Sequence, residues 1–341
     1  MNRRTVLAGA TAALVMAATG CATSPAASTT PNPSSSAALP TPTVGLTYIP
    51  NVQFSPFYVA ETDGSFAGAG GVKPTLRHHG ASEGLFTAIA SGQEQFVIAG
   101  GDEVLQARSQ GLDLVAVAAY YRSYPVVVIV PADSTIKTLA DLKGHSIGLP
   151  GKFGENWFGL QVALRSAGLT ASDVKVQEIG YTQQAALSTH KVDAIVGFEN
   201  NEAVQFGVGG FATRSIPIAD GQVPLVGTCL ITTAAYAKAN PATVKAVAAG
   251  MLAGITSVVT DPNRALTVSG DYVPGLTVAA AQTSAKATLT ATLPLWTTAD
   301  GKVDGHLDAA QWTAMADFMA TQGLTPSRVD PTPAFTNDYL A

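Results

Sequence analysis

The amino-acid sequence predicts an α/β fold with two lobes, in which two mainly parallel sheets are flanked by helices and a ligand cleft lies between the lobes. From residue 44 onward, short β-rich runs alternate with helical patterns, which is typical of βα units. About 290 to 300 of the 341 residues remain once both ends are set aside, enough for two ordinary domains. Two apolar β-rich segments, 125–130 and 225–233, bracket about a hundred residues, as expected if the chain crosses between the lobes twice.

Residues 1–21 have the layout of an export signal. A basic start is followed by an apolar stretch over residues 6–18 and by small residues before Cys21. Residues 18–21, ATGC, resemble the lipobox of bacterial lipoproteins, and Arg3-Arg4 resemble a twin-arginine start. We expect the segment to be removed and Cys21 to be acylated, with general secretory and twin-arginine export both open.

Residues 22–43 are expected to form a flexible tether. They carry no charge and almost no large apolar side chain, so they cannot bury enough surface to offset chain entropy. Residues 1–20 contain two arginines and no acids, so their removal takes the net charge from -5 to -7. Such an acidic chain disfavours nucleic acid as a partner. Cys229, the second of two cysteines, is expected to be a core residue.

The order of elements predicts how the lobes are built. Candidate strands of the first series lie at 44–49, 76–79, 95–99 and 114–119, and those of the second at 125–130, 145–150, 174–179, 193–198 and 213–218. The segment 225–233 returns the chain to the first lobe, and the remainder is mainly helical. The first lobe is therefore assigned to residues 44–128 and 227–341, and the second lobe to residues 129–226.

Polar or glycine-rich segments follow six of these strands. They are 50–54, 79–82, 100–103, 150–157, 180–183 and 199–202. The carboxyl ends of strands in an open α/β sheet face one crevice, where ligands bind. Capping of helix starts is an alternative explanation for Ser82, Asp102 and Glu155 taken singly. It does not explain the aromatic residues beside them as readily, so we predict a binding site formed by these segments.

The charges of these segments restrict the ligand. Five acids, including Asp102, Glu103 and Glu202, stand against one lysine, Lys152. Phosphate, sulfonate and nitrate favour Arg and Lys, whereas a neutral or cationic ring with N–H groups suits carboxylates and amides. In the segment 148–164, glycines would allow close approach of the backbone, and Phe153 or Trp157 would cover a ring face.

Several stretches, in this order along the chain, carry a family resemblance: FSPFYVAETDGSF, IASGQEQFVIAGGDEVLQARSQGLDLVAVAAYY, LADLKGHSIGLPGKFGENWFGLQVALRSAGL, GFENNEAVQF and DGHLDAAQWTAMADFMATQGL. With its lipoprotein-like start, the chain resembles the solute-binding proteins of ABC importers, in the group of alkanesulfonate, thiamine-pyrimidine-precursor and riboflavin binders. The resemblance implies a type II-like periplasmic-binding-protein fold that closes over a small molecule and delivers it to a membrane permease. It further implies a monomer, lipid-anchored on the extracytoplasmic face of the cell membrane.

The resemblance and the loop composition together give a set of candidate ligand-binding residues. They are Asn51, Phe54, His79, Gly101, Asp102, Phe153, Glu155, Asn156, Trp157, Tyr181, Glu199 and Asn201.

The ligand class is left with alternatives. Acidic, Asn-rich loops suit an aminopyrimidine, so a thiamine pyrimidine precursor is placed first, while aromatics with Asn200 and Asn201 also suit riboflavin. An alkanesulfonate or nitrate binder, a receptor and an enzyme on the same scaffold are further alternatives. Motifs of hydrolases, zinc proteases and P-loops are absent, and Ser82 with His79 is the one nucleophile–base pairing to exclude. We therefore expect no catalysis, metal or cofactor.

Overall fold

In the computed structural model, the described residues are 39–80, 82–218 and 224–340. The predicted signal peptide, Cys21 and the tether up to residue 38 lie outside them. The described residues form one compact unit. The last tether residues belong to this unit, since Leu39 packs against a hydrophobic core and Thr43 begins the first strand.

The first sheet has five strands in the order β2-β1-β3-β10-β4. The pairs β1–β2 and β1–β3 are parallel, and β10 runs antiparallel to both β3 and β4. β3 and β4 are buried along their whole length, which explains their nearly continuous apolar sequences. The strands are β1 (Thr43–Leu46), β2 (Thr75–His78), β3 (Phe96–Gly100), β4 (Leu114–Ala119) and β10 (Thr228–Thr233).

The second sheet repeats this pattern in the order β7-β6-β8-β5-β9. β6 is parallel to β7 and β8, and β5 is antiparallel to β8 and β9. Its strands are β5 (Val126–Pro131), β6 (Ser146–Leu149), β7 (Lys175–Glu178), β8 (Ala194–Phe198) and β9 (Thr213–Pro217).

All ten candidate strands are confirmed, but the sheets are mixed instead of mainly parallel. Each sheet has two parallel and two antiparallel pairings. The antiparallel ones involve β5 and β10, the strands with which the chain enters each sheet from the other. Two consecutive strands of one sheet that pair in parallel need a crossover connection between them. A strand that enters from the other sheet has no such connection to its new neighbours, so it is free to pair antiparallel. β5 begins at Val126, so we propose the limit between the lobes near residue 125 and keep the two-lobe division as a proposal.

Helices cover both sheets. Their bounds are α1 (Ser55–Thr62), α2 (Ser65–Gly68), α3 (Thr87–Ala90), α4 (Gly101–Ser109), α5 (Gly154–Ser166), α6 (Gln183–Ser188), α7 (Val204–Val208), α8 (Ala234–Ala239), α9 (Pro241–Thr260), α10 (Pro262–Ser269), α11 (Ala279–Trp296) and α12 (Ala309–Thr321).

The long apolar helix α9 is a core helix. By length and composition it could span a membrane, but its buried face packs on α1 in the hydrophobic core. A Cβ added at Gly254 would lie 2.0 Å from the carbonyl oxygen of Pro56, so only glycine allows this close helix contact. On α12, Trp312, Met315 and Met319 are fully buried and form an apolar stripe along the helix.

Candidate ligand-binding site

A cavity with about 840 Å³ of empty space, part of it open to solvent, lies at the ends of strands from both sheets. The lining residues are Thr47, Tyr48, Gln53, Phe54, His79, Gly80, Glu83, Leu85, Ile98, Ala99, Glu103, Tyr120, Tyr121, Pro150, Phe153, Gly154, Glu155, Asn156, Tyr181, Gln183, Phe198, Asn201, Glu202 and Thr228.

Strand direction explains why these residues meet. Tyr48 follows β1, His79 follows β2, and Phe153 follows β6, so each lies beyond the carboxyl end of its strand. Thr228 reaches the cavity differently, because it is the first residue of the antiparallel strand β10. The expected position of a ligand crevice in an α/β protein is therefore where the cavity is found.

Aromatic rings form much of the wall. Tyr48, after a strand of the first sheet, meets Tyr181, after a strand of the second, edge to face with ring centroids 4.4 Å apart. Tyr120 and Tyr121 stack with centroids 5.0 Å apart. The lining contains seven aromatic residues: Tyr48, Phe54, Tyr120, Tyr121, Phe153, Tyr181 and Phe198.

Asp102, Glu103 and Glu155, here called the carboxyl triad, lie close together beside the cavity. One carboxylate oxygen from each falls within 4.8 Å of the others. Asp102 and Glu103 are in the first turn of α4, and Glu155 is in the first turn of α5. The side chain of Glu103 accepts a hydrogen bond from the Gly100 amide at 2.8 Å, and Asp102 accepts one from the Glu103 amide at 2.9 Å.

Burial decides the charge of the triad. It raises the pKa of Asp102 to about 7 and that of Glu155, with help from Asp102, to about 8. The pKa of Glu103 is raised as well, first by burial and then by the two neighbouring carboxyl groups. The Thr228 hydroxyl donates to Glu155 at 3.2 Å and opposes this effect only in part. The triad therefore holds protons near neutral pH.

Glycines bring the backbone up to the triad. A Cβ at Gly100 would lie 2.2 Å from the Asp102 carboxylate and 2.9 Å from that of Glu155. Gly154, the first residue of α5, has a φ of +70°, in the left-handed region that favours glycine. These two positions explain part of the glycine content of the segments 100–103 and 150–157.

Glu202 contributes another carboxyl group to the cavity wall. It lies in a π-helical turn, Glu199–Ala203, that follows β8. Its carboxylate accepts from the Phe198 amide at 2.8 Å and from the Asn201 side chain at 3.1 Å, and the Tyr48 hydroxyl is 3.5 Å away. Burial raises the pKa of Glu202. The amide of Asn201 is thereby fixed at the cavity wall.

Arg77, His79, Glu83 and Glu94, here called the ion-paired group, border another part of the cavity. Glu94 is buried and lies 2.6 Å from an Arg77 guanidinium nitrogen and 2.9 Å from His79 Nε2. Arg77 also pairs with Glu83 at 2.8 Å. The spacing of His79, Glu83 and Glu94 would suit a metal ion, but both carboxylates already pair with the Arg77 guanidinium.

Seven of the twelve candidate residues line the cavity: Phe54, His79, Phe153, Glu155, Asn156, Tyr181 and Asn201. Asn156 also donates to the Val196 carbonyl at 2.8 Å, which ties α5 to β8.

Five candidates lie elsewhere. Asn51 caps a helical turn by accepting from the Gln53 amide at 3.0 Å, and Gly101 is packed against Val226. Asp102 lies behind the lining as a member of the triad. Trp157 is half-buried and packs on the hydrophobic core, and Glu199 is exposed. The expectation that Trp157 covers a ligand ring is therefore not supported by its position.

Other lining residues were not among the candidates. Tyr48 was assigned to the interior of a strand, but β1 ends at Leu46. Thr228 was not a candidate because it precedes the body of its strand, and only an antiparallel strand brings its first residue to this edge of the sheet. Four more lining residues lie within or next to the post-strand segments: Gln53, Glu83, Glu103 and Glu202. Their position in the sequence is the one signal that indicates a role in binding.

Comparisons with known proteins agree with this architecture. A family model described as "NMT1/THI5 like" matches residues 51–265. The chain is 31% identical over 338 residues to the riboflavin-binding protein RibY of Chloroflexus aurantiacus, covering 96% of this chain and 95% of that protein. It is 28% identical over 233 residues to the formylaminopyrimidine-binding protein of Halalkalibacterium halodurans, covering 68% and 70% of the two chains.

Among solved structures, the alkanesulfonate-binding protein SsuA of Xanthomonas axonopodis pv. citri, bound to MOPS, has a TM-score of 0.67 to this chain. The identity is 22%, and the match covers 88% of this chain and 99% of that one. This likeness confirms the predicted periplasmic-binding-protein fold.

Proposed function

The chain belongs to the NMT1/THI5-like family of solute-binding proteins, and we propose that it captures riboflavin for an ABC importer. In this proposal it acts on the extracytoplasmic face of the cell membrane as a monomer, anchored through acylated Cys21. It closes over the ligand and presents it to a membrane permease. No catalysis is involved.

The preferred ligand differs from the one that the sequence placed first. The similarity to RibY extends over nearly the whole chain, whereas that to the formylaminopyrimidine-binding protein covers about two thirds of it. Riboflavin therefore moves ahead of the thiamine pyrimidine precursor.

The aromatic wall is the observation that carries the proposal. Seven rings are more than one pyrimidine ring requires, and they suit a flat tricyclic ring system. The amides of Gln53, Asn156 and Asn201 supply donors and acceptors for a polar ring edge.

The charges of the lining favour an uncharged ligand. Glu83, Glu103, Glu155 and Glu202 are among the lining residues described by the structure, and none of those residues is Lys or Arg. A sulfonate or phosphate would lack the cation that such groups prefer. Riboflavin, which has no phosphate, fits this environment better than its phosphorylated form.

The geometry of Ser82 and His79 does not support a hydrolytic role. His79 Nε2 is engaged with Glu94 at 2.9 Å, and Ser82 is exposed. A nucleophile and its base would have to be within hydrogen-bond reach.

Contacts between elements of the two sheets support capture by closure. Tyr48 meets Tyr181, and Thr228 of β10 donates to Glu155 of α5. A ligand that touches both sides favours the state in which they are close.

The proposal is tested by titrating the purified protein with riboflavin and following quenching of flavin fluorescence. Flavin mononucleotide, formylaminopyrimidine and MOPS are compared in parallel by thermal shift, because a ligand selective for the native state raises the melting temperature. We expect one riboflavin per chain and the largest shift with riboflavin. A shift with formylaminopyrimidine alone would restore the pyrimidine, and one with MOPS alone would overturn the argument from charge.

A further inference from the structure

The carboxyl triad has no counter-charge in the lining of the cavity that it borders. We propose that the triad binds the ligand in its protonated form, with Glu155 as a neutral acid that donates a hydrogen bond to a ligand acceptor atom. Uptake of an uncharged ligand is then linked to retention of a proton. This inference rests on the proposed riboflavin site.

The geometry makes three ionised groups costly. Their oxygens lie within 4.8 Å of one another, and Asp102, Glu103 and Glu155 are 0%, 4% and 8% exposed. Like charges at this distance repel strongly in a buried site, and the described lining contains no Lys or Arg to offset them. Protonation removes the repulsion without a bound cation.

One buried oxygen of the triad has no hydrogen-bond partner. Backbone amides hold Oδ1 of Asp102 and Oε2 of Glu103, while Asp102 Oδ2 is buried and unpartnered. A buried polar atom without a partner is rare and costly. A proton on one carboxyl group, shared with its neighbours, would satisfy this atom.

The other titratable groups around the triad supply no positive charge. Tyr124 and Tyr121 face it from the connection between β4 and β5, and Cys229 faces it from β10. Burial raises the pKa of each of them, and the carboxyl groups raise it further. All three are therefore neutral near pH 7, so none of them compensates the triad.

A neutral acid also matches the chemistry of the proposed ligand. The ring system of riboflavin ends in an imide, which presents an N–H between two carbonyl groups. A carboxylic acid offers an O–H donor beside a carbonyl acceptor, whereas a carboxylate only accepts. The protonated form of Glu155 can therefore pair with both functions, and an ionised form would face a carbonyl oxygen.

The test is a riboflavin titration of the whole protein between pH 6 and pH 9. We expect an affinity that is constant at the acid end and falls, once the triad ionises, by about tenfold for each pH unit per proton lost. Calorimetry at pH 8 in two buffers of different ionisation enthalpy should show proton uptake.

Variants identify the group whose ionisation weakens riboflavin binding. Glu155→Gln should flatten the pH profile, because an amide cannot ionise. Asp102→Asn should move the fall in affinity to lower pH, because Asp102 raises the pKa of Glu155. Glu178→Gln, on the exposed strand β7, is the control and should keep the wild-type profile.

Two outcomes would overturn the inference and are distinguishable. Riboflavin binding that is equally strong at pH 6 and pH 9 refutes the protonated triad and leaves the proposed function standing. Absence of riboflavin binding at pH 6 refutes the proposed function and the inference together.

Discussion

The ion-paired group and the carboxyl triad both border the cavity, and they differ in what neutralises their acids. In the ion-paired group, Arg77 lies 2.6 Å from Glu94 and 2.8 Å from Glu83. Hydrogen bonds to these carboxylates raise the pKa of Arg77, so its charge is permanent. In the triad, burial raises the pKa of Asp102 to about 7 and of Glu155 to about 8.

The difference shows that residue type alone does not determine the role of an acid at a binding site. Where a fixed cation is present, the acids form ion pairs that hold elements of the structure together. Where none is present, the same groups exchange protons in the physiological range and respond to pH. We expect the ion-paired group to act on stability and the triad to act on ligand selection.

The largest effect is expected on stability, when a substitution breaks the ion-paired group. Arg77→Met would leave the buried carboxylate of Glu94 without its cation, and we expect the free energy of unfolding to fall by about 3 kcal/mol, as for other broken buried pairs. Urea denaturation at pH 7 measures it. Arg264→Met removes an exposed pair with Asp63 and should lower the free energy of unfolding much less. Equal losses in both variants would contradict the assigned role.

The second prediction separates ring contacts from the effects of charge. Tyr181→Ala should weaken riboflavin binding by about 2 kcal/mol, because a ring of the cavity wall is removed. The loss should be the same at pH 6 and pH 8, in contrast to that of triad variants. Fluorescence titration at both values measures it. Phe211→Ala, outside the described lining, is the control; if it weakens binding as much, Tyr181 has no specific part.

The third prediction concerns selection by charge. The acids of the lining should make flavin mononucleotide bind at least about tenfold more weakly than riboflavin at pH 7, or about 1.4 kcal/mol. Competition against riboflavin fluorescence provides the ratio. The preference should shrink at pH 6, where the triad is more fully protonated. Tighter binding of the phosphorylated ligand would show that the acids do not select it out.

The last prediction concerns the pH dependence of stability without ligand. The folded-state pKa of Asp102 is raised above the unfolded value, so the folded protein retains a proton that the unfolded chain releases. Its unfolding free energy therefore falls as pH rises from about 4 through 7. Asp102→Asn should remove this step and stabilise the ligand-free protein at pH 8 relative to the wild type. Thermal melts at pH 5 and pH 8 measure the change, and a variant that is less stable at pH 8 would count against a protonated Asp102.

Local sequence predicted much of the fold because β-rich runs and their spacing are local properties. The pairing direction of β5 and β10 was not predictable in this way, since it depends on which sheet the chain has just left. The sequence also predicted part of the site. Glu155 and Asn156 line the cavity, while Trp157 turns toward the core, because successive helical residues point about 100° apart. Loop composition identifies the segment but not that rotation.

The position of β10 has a consequence for the order in which the protein folds. Residues Thr228 and Cys229 fill the gap between β3 and β4 by pairing with Gly100 and Ala119, whereas β5 to β9 form a continuous stretch of chain. The second sheet can therefore be completed soon after its own residues leave the ribosome or the export channel. The first sheet, although synthesised earlier, stays open between β3 and β4 until β10, more than a hundred residues later in the chain, arrives. Contacts so distant in sequence form slowly, so the half that is made first is the half that finishes folding last.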